Sequence, residues 1–146
     1  MHFEESVVVR RSLEQVGRFF ADFSNLPRWD RGVARVEITS AGPSGLGSVG
    51  TTFDTVGYQE RGRMSYRITE INPDHSYTVV THSSFFKEAQ WRIQLLDTPQ
   101  GTQIFCSTDF SLKWPYLILA PILLRAAKRG AIRTDLEYLK SAVEAA

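Results

Sequence analysis

Cysteine is almost absent from the sequence, since Cys106 is the only one among 146 residues. A single cysteine excludes an internal disulfide and any zinc site that needs several thiolates. The histidines are also few, and His2, His75 and His82 do not have the spacing of metal ligands. We therefore expect neither a metal ion nor a cofactor.

The chain also has little net charge and no long hydrophobic run. Its 17 Lys and Arg residues against 16 Asp and Glu residues leave a net charge of +1, whereas a nucleic-acid-binding domain usually needs a strongly basic face. The most apolar run, residues 114–124, is about half as long as a membrane-spanning helix. Residues 1–11 lack the apolar segment of a signal peptide. We expect a soluble, cytoplasmic protein that binds no nucleic acid.

Length and composition indicate a globular chain with a hydrophobic core. A chain of 146 residues favours one domain, residues 1–146, because domains cluster at roughly 100–150 residues. Hydrophobic residues make up 42% and charged residues 23% of the chain, which is typical of neither disordered nor membrane-embedded proteins. On folding, a chain of this size buries about two-thirds of its surface.

The first thirty residues predict a strand followed by two short helices. Residues 3–10 include consecutive valines, which favour an extended strand. Ser12 and Gln15 have the spacing of a helix capping box, and aromatic residues recur at helical spacing through residues 13–23. Residues 28–30 follow a proline and predict a second helical turn.

From residue 33 to residue 112 the hydrophobic period changes to two, which predicts a series of strands. A glycine-rich loop at 41–50 and turns at 72–75 and 97–101 separate them. The period is clearest where Ala89, Trp91, Ile93 and Leu95 alternate with polar residues, as in an antiparallel sheet with one face in water. The predicted strands are residues 33–40, 51–58, 62–71, 76–82, 88–96 and 102–112.

The chain is predicted to be helical from Pro115 to its end. Pro121 kinks or restarts this helix because proline lacks a backbone donor, and Gly130 is a second weak point. Only this helix is long enough to cover a single sheet with one apolar face. A helix laid into a curved sheet touches it mainly along one line, so a pocket can remain between them. The apolar stripe of the helix comprises Leu117, Leu124, Ile132, Leu136, Leu139 and Val143.

Five segments, taken in order, resemble the START-like, helix-grip superfamily and in particular its polyketide cyclase/dehydrase-type branch. The resemblance covers essentially the whole chain. It implies an α+β fold in which a seven-stranded curved antiparallel sheet wraps around a long C-terminal helix, with two short helices after the first strand. It also implies a hydrophobic cavity between sheet and helix. The segments are Ser12-Leu13-Glu14-Gln15-Val16, Asn25-Leu26-Pro27-Arg28-Trp29-Asp30, Gly47-Ser48-Val49-Gly50-Thr51, Trp91 with Gly101-Thr102, and Leu136-Glu137-Tyr138-Leu139-Lys140.

The predicted cavity residues combine apolar walls with hydroxyl groups. Buried hydroxyls without partners cost roughly 1–3 kcal/mol each, which favours a wet or ligand-filled cavity over the alternative of a filled core. Trp29 either closes the mouth of the cavity or anchors the second short helix. The predicted ligand-binding residues are Trp29, Phe53, Thr55, Met64, Tyr66, Tyr77, Val79, Thr81, Ala89, Trp91, Ile93, Cys106, Thr108, Phe110, Leu117 and Leu124.

The sequence predicts no catalytic residue. Cys106 is interpreted as a small buried hydrophobe, because no histidine is close to it along the chain. His82 is the one histidine to test as an acid or base. Four carboxylates lie in or beside the predicted strands, and they form no evident pair for acid–base chemistry. They are Glu4, Glu5, Asp54 and Glu60.

Two basic groups have alternative interpretations. Arg63 and Arg67 belong to the outer face of a strand, but with the opposite phase they would enter the cavity and bind a carboxylate or phosphate. A basic cluster also follows the apolar run 114–124. It is either a solvated helix face or part of a helix that transiently contacts a membrane surface. This cluster consists of Arg125, Lys128, Arg129 and Arg133.

Three functions therefore stay open. The first is binding of a hydrophobic small molecule, such as a lipid, an isoprenoid or a polyketide, in the cavity. The second is a polyketide cyclase, aromatase or dehydratase that folds a flexible substrate into a reactive shape. The third is an interaction module in which residues 114–124 contact a membrane or a protein, and a dimer is compatible with it.

Overall fold

Antiparallel strands form one curved sheet across the chain. The computed structural model describes residues 1–60, 62–73, 76–82, 86–128 and 131–146. Within these residues the sheet has seven strands in the order β1-β7-β6-β5-β4-β3-β2, so β1 lies at one edge beside the last strand. The strands are β1 (His2–Val9), β2 (Arg35–Ser40), β3 (Thr52–Val56), β4 (Met64–Ile71), β5 (Tyr77–His82), β6 (Phe86–Thr98) and β7 (Gly101–Leu112).

The two longest strands confirm the alternation seen in the sequence. Ala89, Ile93 and Leu95 of β6 are buried, whereas Gln94 and Leu96 between and after them are exposed. Both β6 and β7 extend beyond the predicted limits, because their ends pair with each other up to Thr98 and Gly101. Side chains on one face of this hairpin therefore meet the helices, and those on the other face meet water.

Two short helices follow β1, as predicted. Helix α1 (Leu13–Ala21) begins with the capping box, in which the Gln15 backbone N–H donates to the Ser12 hydroxyl at 3.2 Å. The second is a 3-10 helix at Phe23–Arg28, earlier than the turn expected at residues 28–30. The Asp22 carboxylate explains the shift, because it accepts from the Ser24 backbone N–H at 3.0 Å and so starts the helix there.

The described part of the C-terminal region contains three helical pieces. A 3-10 helix at Tyr116–Leu119 leads into α2 (Ala120–Lys128), and α3 (Ala131–Ala145) follows. Pro121 lies in the first turn of α2, where a backbone N–H has no partner within the helix, so the missing N–H of proline costs no hydrogen bond. The helix therefore restarts there, as predicted. Gly130 lies outside the described residues. None of the helices described is both long enough and apolar enough to cross a membrane.

The apolar residues of the sheet and helices form two separate clusters. In one cluster, α3 and α1 pack against β6 and β7, and Leu136, Leu139 and Val143 of the predicted helical stripe belong to it. The other lies further along the sheet, around Phe53, Ile68 and Val79. Helix α3 also packs on β1, so the sheet holds the C-terminal helix on its inner face. This arrangement is the helix-grip fold.

The outer face of the sheet carries the charged side chains of β2, β3 and β4. One guanidinium nitrogen of Arg63 lies 2.8 Å from Glu37 and 2.9 Å from Asp54, and Arg67 is exposed. Both arginines therefore occupy the outer face, and the alternative phase that would put them in the cavity is wrong. Other sequence predictions fall outside the described residues, namely His75, Arg129 and the side chains of His82, Lys128, Ile132 and Arg133.

Candidate functional site

A cavity of about 210 Å³ lies between the sheet, α3 and the 3-10 helix Phe23–Arg28. It is placed between the two apolar clusters, since Phe53 and Val79 of one and Ile93 and Leu136 of the other contribute to its walls. Its volume is several times the ~30 Å³ share of one water molecule. The residues predicted from sequence that line it are Trp29, Phe53, Tyr66, Tyr77, Val79, Trp91, Ile93, Cys106 and Thr108.

Aromatic rings in mutual contact form much of the wall. Phe53 stacks on Phe23 at 4.7 Å and on Tyr66 at 5.3 Å between ring centroids. Tyr66 in turn meets Trp91 edge to face at 5.5 Å. Offset and edge-to-face pairs each add about 0.5–1.5 kcal/mol beyond their buried area. The wall is therefore held by its own contacts, and the cavity does not depend on an occupant to keep these rings in place.

Phe23, like Leu26, was not predicted as a lining residue. Both belong to the 3-10 helix that covers the cavity. The sequence signal for them is weak, because a 3-10 helix of two turns has no stripe at period 3.6. Trp29 follows this helix and meets Phe20 of α1 edge to face at 6.2 Å. It therefore lines the cavity and anchors the short helix at once.

Hydroxyl groups supply polar positions inside the cavity. Burial raises the pKa of Tyr66 to about 12, and its hydroxyl lies 3.8 Å from the Met64 sulfur. Burial also raises the pKa of Tyr77. Among the described residues, none forms a hydrogen bond with the side-chain oxygen of Tyr77 or Thr108. A polar atom of a bound molecule can pair with either oxygen.

Cys106 contributes a protonated thiol to the wall. Burial raises the pKa of its thiol to about 12, so the thiolate, which is the nucleophilic form, is scarce near neutral pH. The cysteine therefore behaves as a small apolar side chain in this cavity.

Two carboxyl groups also line the cavity, and the sequence did not bring them together. Burial raises the pKa of Asp30, although the Gly32 backbone N–H donates to its Oδ1 atom at 3.0 Å. The pKa of Asp135 is raised too, first by partial burial and then by the negative charge of Asp30, while Arg31 opposes the shift. Asp135 is exposed, so it marks the place where the cavity meets solvent.

This acidic pair was missed because its members are far apart along the chain. Asp30 comes directly after Trp29, and Asp135 directly precedes Leu136 of the apolar stripe. The sequence offered one signal, which is that each carboxylate directly neighbours a residue predicted to face the interior. Only the packing of α3 on the sheet brings Asp30 and Asp135 to the same cavity. Arg31 reinforces this junction, since its guanidinium stacks over the Tyr138 ring at 4.4 Å.

Five predicted residues are inward-facing or buried but do not line the cavity. Thr55 and Met64 lie beside the Tyr66 hydroxyl, behind the wall. The Thr81 hydroxyl donates to the Ser65 backbone carbonyl, which satisfies it away from the cavity. Two further residues pack elsewhere on the inner face, since Ala89 is fully buried and Phe110 stacks on Phe3 at 5.5 Å.

Leu117 and Leu124 do not line the cavity, which corrects the prediction from the helical stripe. Their side chains are 51% and 41% exposed. The stripe assumed one continuous helix, but Leu117 lies in a 3-10 helix with three residues per turn, which breaks the 3.6-residue phase. Leu136 of α3 occupies the wall instead.

The sequence matches one protein-family model over nearly all of its length. That family is described as polyketide cyclase/dehydrase and lipid transport, and the match covers residues 1–144. No protein of curated function matches the sequence at a significant level.

Solved structures share the fold at low sequence identity. A START superfamily protein from Mycobacterium smegmatis is 18% identical with a TM-score of 0.75, and the match covers 99% of this chain and 94% of that one. The Zhui aromatase/cyclase from Streptomyces sp. R1128 is 14% identical with a TM-score of 0.77, covering 99% and 93%. Norcoclaurine synthase from Thalictrum flavum is 15% identical with a TM-score of 0.68, covering 99% and 84%. The TM-scores establish a common fold.

Proposed function

The chain belongs to the polyketide cyclase/dehydrase and lipid transport family, and from this premise we propose that residues 1–146 act as one START-like domain that binds a hydrophobic small molecule in the cavity. The ligand class is a lipid, an isoprenoid or a polyketide-like compound. The observation that carries the proposal is the hollow of about 210 Å³ with aromatic walls between two closed apolar clusters.

Binding would be driven by transfer of the ligand from water to the aromatic wall. Each Å² of apolar surface removed from water contributes about 25 cal/mol. The side-chain oxygens of Tyr77 and Thr108 would orient the polar atoms of the ligand, since hydrogen bonding inside the cavity offsets their desolvation. The ligand therefore combines an apolar body with one or two polar atoms.

The volume of the cavity limits what it holds without a change of shape. Small-molecule sites commonly measure roughly 300–1,000 Å³, which exceeds the 210 Å³ found here. A compact ring system fits the smaller volume. A longer chain would require a covering element to move, and the 3-10 helix Phe23–Arg28 is one such element because its Phe23 and Leu26 line the cavity.

A cavity-filling substitution tests the proposal against a matched control on the same strand. Thr108→Phe adds a ring to the cavity wall, whereas Ser111→Phe adds the same ring at an exposed position of β7. We expect at least a tenfold loss of affinity for the fluorescent probe N-phenyl-1-naphthylamine in Thr108→Phe and an unchanged affinity in Ser111→Phe. Equal affinities in both variants would contradict binding in the cavity.

Native mass spectrometry of the purified chain gives a second, independent measurement. A lipophilic molecule that co-purifies with the unmodified chain and with Ser111→Phe, but not with Thr108→Phe, supports the proposal. Circular dichroism spectra of both variants show whether the fold is retained.

A second candidate function is acid–base catalysis on a polyketide-like substrate, and the pair Asp30 and Asp135 favours it. An enzyme acid works best when its pKa lies close to the working pH, and both carboxyl pKa values are raised. Loss of water from an aryl poly-β-ketone analogue, followed by mass spectrometry, tests this function. Product formation that Asp30→Asn abolishes supports catalysis, and no product above the background without protein opposes it.

We also propose that the protein works in the cytoplasm. With a single cysteine the chain has no internal disulfide, as is usual for proteins of a reducing compartment. Fractionation of cells that express the tagged chain tests the location.

A further inference from the structure

Among the side chains that the structure describes, the largest concentration of exposed apolar ones along the chain lies between β7 and α3. Trp114 is 79%, Ile118 72% and Ile122 62% exposed, and Leu117, Leu119 and Leu124 between and beside them are exposed too. Single exposed apolar residues are ordinary, but a contiguous exposed patch marks an interaction site. We call residues 113–128 the apolar segment.

The charged residues within the apolar segment all have one sign. The sequence holds no aspartate or glutamate between Asp109 and Asp135. Lys113 precedes the exposed side chains and Arg125 follows them, and both are themselves exposed. Lys128 comes one turn further on. The chain as a whole is nearly neutral, with a net charge of +1, so the apolar segment is more positive than the rest of the chain.

We propose that the apolar segment docks on the surface of a bilayer that contains anionic lipids. Exposed aromatic and aliphatic side chains next to cations are the pattern of segments that lie in the membrane interface, where each cation near an anionic surface adds about 1 kcal/mol, or roughly fivefold in affinity. The indole of Trp114 suits the level of the lipid headgroups.

Electrostatics favours a membrane over a second copy of the chain as the occupant. A twofold contact between two apolar segments would bring the cations Lys113 and Arg125 of one copy close to those of the other, without an acidic residue of the segment to pair with them. An anionic bilayer instead offers negative charge to every cation of the segment. It also covers the apolar side chains with hydrocarbon.

Vesicle flotation tests the proposal with the full chain. We expect the chain to float with mixed phosphatidylcholine–phosphatidylglycerol vesicles and to float much less with vesicles of phosphatidylcholine alone. The double variant Ile118→Ser with Ile122→Ser should abolish flotation. The control, Leu46→Ser with Leu96→Ser, removes two exposed leucines elsewhere and should float like the unmodified chain. Lys113→Gln and Arg125→Gln should each weaken binding about fivefold.

Three results would overturn the proposal. The first is no flotation of the unmodified chain with either vesicle, and the second is equal flotation of Ile118→Ser with Ile122→Ser and of the control. The third is self-association in lipid-free analytical ultracentrifugation that Ile118→Ser with Ile122→Ser abolishes, which would assign the apolar segment to a second copy. Circular dichroism spectra of every variant check the fold, and the test is separate from binding in the cavity because the substituted residues do not line it.

Discussion

Asp30 shows how one side chain links the cavity to the stability of the protein. Its carboxyl group is half-buried among apolar and aromatic neighbours, and this partial burial raises its pKa. Such a shift measures how much the charged form costs in the folded state, at about 1.4 kcal/mol for each pKa unit. The cavity therefore keeps a carboxyl group in a place where its charge is unfavourable, which is a common feature of functional sites.

The sign of this effect gives a prediction for Asp30→Asn. Because the folded pKa is raised, the stability that the carboxyl contributes is fully present below its unfolded pKa, about 3.9, and is lost as the pH rises through the folded value. The variant keeps an oxygen for the Gly32 N–H but carries no charge. We expect it to melt above the unmodified chain at neutral pH, by about 2–4 °C for each kcal/mol, and the difference to vanish in acid.

Thermal melts followed by circular dichroism at neutral pH and at acidic pH measure the difference. Equal melting temperatures of the two chains at neutral pH would show that Asp30 is solvated and that the cavity does not penalise its charge.

At the scale of elements, the strands could be predicted and part of the helical region could not. The alternation of Ala89, Trp91, Ile93 and Leu95 predicted which face of β6 meets the helices, because a strand has the same period along its whole length. Leu117 and Leu124 were misplaced because the stripe depends on an unbroken 3.6-residue period. The 3-10 helix Tyr116–Leu119 changes that period, and nothing in the local composition distinguishes it from the start of α2.

The β6–β7 hairpin requires a glycine at position 101. This residue has a φ of +140°, and a Cβ atom there would lie 2.0 Å from the Val9 carbonyl oxygen. Gly47, in the glycine-rich loop, has a φ of +82° with open space around it. An alanine at position 47 therefore introduces backbone strain alone, whereas an alanine at position 101 also introduces steric overlap with β1.

We expect Gly47→Ala to lower the free energy of unfolding by about 1–3 kcal/mol through strain alone. Gly101→Ala should lower it further, because β1 must move away from β7 to make room. Urea denaturation of both variants measures the difference. A loss in Gly101→Ala no larger than that in Gly47→Ala would contradict the close approach of Val9 to the hairpin.

At the scale of the whole molecule, the proposed ligand binding depends on a hollow left between two filled clusters. The sequence predicted the sheet, the covering helix and most wall residues, because burial and period are local properties. It did not predict Asp135 beside Asp30, or the role of Phe23, because these depend on how α3 and the 3-10 helix Phe23–Arg28 settle on the sheet. Residues 105 positions apart along the chain, such as Asp30 and Asp135, meet only through that packing.

The three tryptophans offer the most direct measurement of this claim. Trp29 and Trp91 line the cavity, and Trp114 lies on the apolar segment. In a chain labelled with ¹⁵N at tryptophan, each indole N–H gives its own NMR signal. Titration with N-phenyl-1-naphthylamine should shift the signals of Trp29 and Trp91 and leave that of Trp114 in place. A shift of Trp114 alone, or of none of the three, would contradict binding in the cavity.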